Sequence, residues 1–421
     1  MTQPSPPVAI VGGGIIGCAT AYYLARRNIP CAVYEKGSVN AEQSSRAWGF
    51  VRQQGRDPAE LPLMVESNRI WQGLERELGE NLGWRQEGIL YLAYSERRMA
   101  EFQRWLELAR QYQLQTRLVS RRELPQLLPG IHTDAVGGML TPNDGHAEPP
   151  LVAPALRRAA EKLGAVFHEG CAVNALYSAG GRIKGIVTEV GAVRADTVVC
   201  AAGAWSRPLL KTVGLKLPQV WLRGTCTRTT PVRPLTGMAV WSKVAFRQAP
   251  DGSLNIASGG GGDHDLLASD IPQSWQFLPD ILEHGRKLSL HLGQPFLESL
   301  RGGFQPQRQR TLDPAPSPRW EREAMNALRE TFPELGEVRV ARSWAGYIDM
   351  TPDMVPVIEA MDKPSGLVIA TGMSGHGFGF GPVVGKVVAG LIAGEEPDFD
   401  LTDFRLSRFA GWRPRRPRAL V

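Results

Sequence analysis

A short apolar run, Val8–Val11, ends on Gly12, Gly13 and Gly14 and passes at Ile15 into a stretch of helical periodicity that reaches Arg27. Gly12-x-Gly14-x-x-Gly17 spans this junction, and a second apolar run, residues 31 to 35, closes on Glu35. A strand, glycine turn, helix and strand within about thirty residues is the unit that binds dinucleotides, and no other feature constrains the fold as strongly. The first glycine permits the turn, the second lets the backbone approach a pyrophosphate, and the third lets helix and strand pack closely. The helix N-terminus then faces the phosphate charge. Glu35 is placed for the ribose hydroxyls, and its carboxylate repels a 2′-phosphate.

Residues 8 to 25 also run eighteen positions without a charge, close to the length of a membrane span. Four glycines inside the run, no positive residue before it, and Arg26 and Arg27 after it predict a buried strand and helix rather than a span or a secretory signal.

With 421 residues, 43% hydrophobic and 21% charged, the chain is long enough for two domains and has no bias toward disorder. The formal charge of +6 is carried by the tail, where Arg405, Arg408, Arg413, Arg415, Arg416 and Arg418 stand without an acid. A near-neutral body argues against nucleic acid as a partner. The tail reads as a solvated terminus, with peripheral contact to acidic lipid or to a partner subunit as the alternative. Five scattered cysteines without CxxC fit reduced thiols in a cytoplasmic protein. The histidines show no HxH or HExxH spacing, so no metal is expected. Asp263, His264 and Asp265, after the glycines at 259 to 262, read as a hairpin loop.

Periodicity predicts helices over 64–82, 96–116, 151–163, 273–292, 319–332 and about 382–392. Strands are expected at 88–94, 165–176, 182–190, 197–202 and 367–370, the patches at 165–202 returning to the composition of the first unit. Between 218 and 262 strand follows strand without a helix, which implies an antiparallel platform. No period of 20 to 50 residues repeats. The expected fold class is α/β, α+β overall: a Rossmann-type domain (1–85, 146–217, 333–404) interleaved with an antiparallel-sheet substrate domain (86–145, 218–332), and a basic tail at 405–421.

Three further segments bear on which dinucleotide is bound. Ser44-Ser45-Arg46-Ala47-Trp48-Gly49 follows Glu35 by nine residues, a loop placed to run along the pyrophosphate. Ala202, Gly203 and Trp205 close a strand with small residues on the other side. Gly372, Gly375, His376, Gly377, Phe378 and Gly379 precede the last helix. These contacts enclose a longer ligand than a dissociable NAD requires, and they predict FAD. A helix starting near Pro382 aims its positive end at residues 377 to 379, which favours an anionic reduced ring.

VAIVGGGIIGCATAYYLA, SSRAWGFVR, VVCAAGAWS, WAGYIDMTPDMVPVI and IATGMSGHGFGFGPVVGKVVAGLI, in that order, resemble the D-amino-acid oxidase superfamily, in the branch with glycine oxidase, sarcosine oxidase and bacterial amino-acid and hydroxyproline dehydrogenases. The resemblance covers nearly the whole chain. It implies an FAD domain interrupted by a substrate sheet, with Ile15, Ile16, Lys36 and Val173 counted among the cofactor contacts. It also implies oxidation of an amine or an amino or imino acid, with the α-hydrogen passing as hydride to flavin N5 and the imine hydrolysing. Oxygen or another acceptor would reoxidise the flavin.

The chain departs from the family at both familiar carboxylate anchors. Where glycine oxidase has an Arg this chain has Ile348, and where sarcosine oxidases have a Lys it has Gly379. Arg52 resembles the carboxylate-binding Arg of sarcosine oxidase, and a guanidinium fork suits a carboxylate. Arg223, Arg308, Arg310 and Arg342 are alternative anchors. Tyr347 is a candidate wall residue, and His376 a candidate for packing, hydrogen bonding or proton handling. No cysteine follows Cys226, so covalent attachment beside the WAGY segment is excluded and noncovalent FAD is expected.

Two other readings compete. One is a flavin subunit passing electrons to a partner. The other is an FAD monooxygenase, which would need an acid in the second glycine motif, where Ala370, Thr371 and Gly372 stand.

Overall fold

In the computed structural model, which describes residues 6–131, 133–259, 261–285, 288–300, 306–411 and 416–419, Val8–Val11 and Cys31–Tyr34 pair in parallel with Val8 opposite Cys31 and Val11 opposite Tyr34. Both strands are buried on both faces, which is why they read as continuous apolar runs. They sit in a six-stranded sheet ordered Val357–Ala360, Leu367–Thr371, Thr197–Cys200, Val8–Val11, Cys31–Tyr34, Val166–His168, parallel except at its first strand. Three well-separated stretches of chain thus build one sheet.

The helix Ile15–Ala25 is buried along its whole length, between this sheet and the C-terminal helix Gly377–Ala393. The two helices meet at glycines. A Cβ on Gly381 would lie 2.5 Å from Ile15, and one on Gly385 would lie 2.4 Å from Ala19.

The second large sheet has ten strands. Its backbone is Val220–Thr229, flanked by Leu254–Ser258 and Gly262–Asp265 and paired along its length with Val340–Met350. Most joints are antiparallel, as the strand run between 218 and 262 predicts. Two are parallel: Ala239–Trp241 with Ile89–Ala93, and Gly262–Asp265 with Leu288–His291.

Several expectations are corrected. The helix expected over 273–292 is a 3-10 segment, Ala268–Phe277, then a short helix, Leu278–His284, and a strand, Leu288–His291. Pro272 stands just before it, Gly285 interrupts it, and Leu288, Leu290 and Leu292 repeat with the period of a strand. Of the patches at 165–202, Val173–Ala179 and Arg182–Thr188 leave the first sheet and form a separate three-stranded one with Gly191–Arg194. Val340–Met350, inside a stretch expected in the dinucleotide half, belongs to the large sheet. The helix expected over 64–82 is Leu61–Leu78, closed by Gly79 with φ of 67°. The C-terminal helix begins at Gly377, five residues before Pro382. The Gly379 carbonyl within its first turns accepts Ser67 Oγ at 2.5 Å and Trp71 Nε1 at 2.9 Å.

The tail is also not simply solvated. The Arg408 side chain is 2% exposed and bound to Asp353, and Arg418 reaches back to Asp57. Both acids are buried, and these are their ion pairs among the described residues. Residues 412–415 and 420–421, including Arg413 and Arg415, lie outside the described residues.

Candidate active site

One cavity of about 570 Å³ runs between the two sheets. At one end stand Tyr34, Glu35, Lys36 and Val173. The N-terminus of the first helix follows, where the first intrahelical bond is Cys18 N to Gly14 O, so the preceding amides lack helical partners. Ile15 N–H is taken by Ser44 Oγ at 2.9 Å, and no acid stands in the first turn. Glu35 accepts Gly13 N–H at 2.7 Å and Gly37 N–H at 2.8 Å, one on each oxygen. Burial pushes its carboxyl up, against those two bonds. A carboxylate has about four lone-pair sites, so acceptor capacity for two ribose hydroxyls remains.

Arg46, Ala47, Trp48, Gly49, Ala202, Gly203 and Trp205 line the middle of the cavity. Lys36 Nζ lies 4.6 Å from the Trp205 ring and is tied to Glu42 and to the carbonyls of Gln309 and Arg310. Gly375, His376, Gly377 and Phe378 bring the second helix N-terminus to the wall, with His376 as N-cap and no acid in the first turn. The positive helix end thus falls at His376 and Gly377, not at 377 to 379 as expected from a start at Pro382.

Four candidates stand behind the wall rather than in it. A Cβ on Gly17 would sit 1.9 Å from Gly12 O, so Gly17 serves helix-to-strand packing. Ser45 Oγ donates to Glu42 O, Gly372 N–H donates to Asp349, and Gly379 O is consumed by Ser67 and Trp71.

Sequence reasoning missed Gln43, Asp349, Arg56 and Glu60. Asp349 comes from the Val340–Met350 strand. It accepts Gln43 Nε2 at 3.0 Å, Gly372 N–H at 2.8 Å and Met373 N–H at 3.3 Å, and burial raises its carboxyl. An acid therefore does stand beside Thr371 and Gly372, supplied by a neighbouring strand rather than by the motif itself.

At the far end Arg52 and His376 line the cavity together. The Arg52 guanidinium lies 5.8 Å from the Tyr91 ring and 5.9 Å from the Trp241 ring, and Nη1 donates to Gln54 O at 2.6 Å. His376 Nδ1 is 2.9 Å from Glu60 Oε1, both groups buried. Burial, then the Arg56 charge, pulls the imidazole down to about 4, so it stays neutral and donates its Nδ1–H. Burial works against the Glu60 charge, and the His376 hydrogen bond, Arg56 and Arg52 work for it.

Tyr347 lines the cavity and packs on Trp221 with ring centroids 5.0 Å apart, but its hydroxyl is spent on Asp265 at 2.7 Å. The alternative anchors lie off the cavity wall. Arg223 pairs with Asp263 and Asp265, Arg310 with Glu189, Arg342 stacks on Trp344, and Arg308 is exposed.

Two helix N-termini without acids, a ribose-ready carboxylate and a cavity spanning both sheets define a site for a long dianionic dinucleotide. The family model for FAD-dependent oxidoreductases of the D-amino-acid oxidase type matches residues 7–391. The chain belongs to that family, and FAD is its cofactor. It is 27% identical to a glycine oxidase of Geobacillus kaustophilus over 416 residues, covering 96% of this chain and 97% of that one. It is 25% identical to sarcosine oxidase subunit beta of Rhodobacter capsulatus, covering 96% and 89%. Among solved structures, L-amino acid deaminase of Proteus myxofaciens, in complex with anthranilate, superposes with a TM-score of 0.90 at 26% identity, covering 97% and 95%.

Proposed function

We propose that the chain oxidises an amino or imino acid, its carboxylate held by Arg52. Bound FAD would supply the hydride acceptor for the substrate α-carbon, with oxygen or another acceptor reoxidising it. The observation that carries this reading is a guanidinium only 6% exposed, lining the cavity and without an ion pair among the described residues. Buried charges are normally paired, and one left unpaired at a cavity wall awaits a ligand of opposite sign. A neutral His376 suits a hydrogen-bonding wall more than a proton store, so the substrate arrives with its amine already unprotonated and the imine hydrolyses after release of the hydride. Tyr347 acts as wall. Gly12, Gly14, Ile15, Ile16 and Glu35 hold the adenosine and pyrophosphate, and Gly375 to Phe378 the ring. Among the described residues no cysteine lines the cavity, which supports noncovalent FAD. The five free thiols favour a cytoplasmic setting.

The test is anaerobic titration of the holoenzyme with L- and D-amino acids, cyclic imino acids and N-methylglycines. At least one class bleaches the flavin within seconds, and complete absence of bleaching overturns the reading.

A second reading, a flavin subunit that hands its electrons to a partner, is favoured by one observation. Ile271, Leu282, Leu290, Leu292 and Leu297 are all more than half exposed, on a segment whose Ile281 and Leu288 line the cavity. Turnover with artificial acceptors far exceeding turnover with oxygen would support it.

A further inference from the structure

Among the described residues, Arg52, Arg56 and Arg247 are buried as whole residues, and the Arg408 guanidinium is buried against Asp353. Arg247 shows how this chain ordinarily buries such a charge. Its guanidinium is bidentate to Glu148, at 2.6 and 3.0 Å, and its Nε is bound to Trp48 O. Arg56 has nothing comparable. It is 2% exposed, its Nε donates to Arg52 O at 3.0 Å, and its Nη1 is buried with no hydrogen-bond partner. Its guanidinium lies 5.3 Å from the Phe380 ring, and the residue lines the same cavity as Arg52 and His376.

No acid near it makes a hydrogen bond or ion pair with it among the described residues. Asp144 accepts Gln53 N–H, Gln53 Nε2 and Gln54 N–H at 2.8, 3.1 and 3.0 Å, while Glu60 gives Oε1 to His376 and keeps Oε2 buried without a partner, so both act on Arg56 only through their field. Burial, then repulsion from Arg52, lowers the Arg56 guanidinium to about 9, still charged at neutral pH. Two cations that repel one another in a buried wall are stabilised when a single anion is shared between them.

The surroundings of the pair add a second constraint. Trp241, over which Arg52 stacks, has its ring centroid 5.1 Å from Trp48 and 6.4 Å from Phe50, and all three half-buried rings line the cavity. Leu222 and Ile348, opposite one another on paired strands, add apolar surface to that wall. Bulky apolar groups beside a paired guanidinium site match one ligand chemistry.

We infer that Arg56 is a second carboxylate-binding residue, that with Arg52 it forms a two-guanidinium clamp, and that the clamp and its aromatic wall select amino acids with aromatic or bulky apolar side chains. The inference rests on the amino-acid oxidation reading, and its test separates the two. The probe is benzoate, a redox-inert carboxylate bearing a ring, titrated calorimetrically into the holoenzyme. Benzoate binds at least tenfold more tightly than acetate, and Arg56→Gln weakens benzoate at least tenfold. In the same variant the preference for phenylalanine over phenethylamine in flavin bleaching falls at least tenfold.

A smaller loss of benzoate affinity overturns the clamp, and equal affinity for acetate and benzoate overturns the aromatic selection. Should Arg56→Gln lose flavin or fail to fold, Arg56→Lys replaces it. Lysine keeps the charge but lacks the fork, so at least a threefold loss is expected and a smaller one overturns the clamp. If no amine bleaches the flavin while benzoate still binds through Arg56, oxidation fails and the clamp stands. If amino acids bleach it and the variants bind benzoate like wild type, the clamp fails and oxidation stands.

Discussion

At the end of the cavity proposed for the pyrophosphate the wall is largely backbone, Gly12, Gly14 and the first amides of one helix, drawn from a stretch of about thirty residues. At the end proposed for the substrate the wall is side chains, and they come from everywhere. Arg52 and Arg56 lie on an irregular loop, Trp241 on a three-residue strand, Ile348 on the long strand of the large sheet, and His376 at the mouth of the last helix. Backbone recognition of a phosphate needs only a turn and a helix start, so local sequence can encode it. A site for a small carboxylate needs several charges at one point, which only chain crossings can provide.

If that contrast is right, the most damaging single change falls at the local end. Gly17→Val places atoms where even a Cβ would be 1.9 Å from Gly12 O, so helix and strand must separate. We expect purified protein without flavin and a stability loss of at least about 4 kcal/mol, read by flavin absorbance and by denaturant unfolding. Flavin retained at wild-type level would show that the close approach is dispensable.

Next comes the contact joining the two ends. Arg247, on the large sheet, holds Glu148 and the Trp48 carbonyl. Arg247→Ala leaves that carboxylate without its partner and costs about 3–5 kcal/mol in urea unfolding.

A smaller effect appears in acid. His376 and His146 are both pulled down to about 4, chiefly by burial. Below pH 6.5 the unfolded chain takes up protons that the native state refuses, so stability falls as pH drops toward 4. Asp144, raised by burial to about 6, partly offsets this, because there the native state binds the proton first. His146→Asn should flatten the slope of unfolding free energy against pH by about 1.4 kcal/mol per unit between pH 6 and 4.5. An unchanged slope would mean that His146 is already protonated in the native state.

The smallest change is expected from Arg418→Ala, which removes a half-exposed partner of Asp57, the neighbour of Arg56. It should cost about 0.5–1 kcal/mol and be sensitive to salt.

The parallel sheet, the first helix and the cofactor were legible because fully buried strands read as apolar runs and because glycine spacing is a local steric demand. The C-terminal helix was misplaced at its start because Pro382 looks like a beginning, whereas Ser67 and Trp71 satisfy a carbonyl in its first turns from another helix. Arg56 and Glu60 were written four and eight residues along from Arg52, yet nothing local sets them apart from surface charges. Asp349 was equally silent, since its partners Gln43 and Gly372 lie 306 and 23 residues away.

What the sequence alone determined is the dinucleotide turn, the interleaving of two sheets and membership in a flavin-dependent family, because each rests on periodicity or on contacts between near neighbours. Tertiary structure alone decided which arginines lack an acid, which acid supports His376, and which rings surround them. Charge pairing inside a protein depends on where distant segments cross, and no spacing along the chain records that.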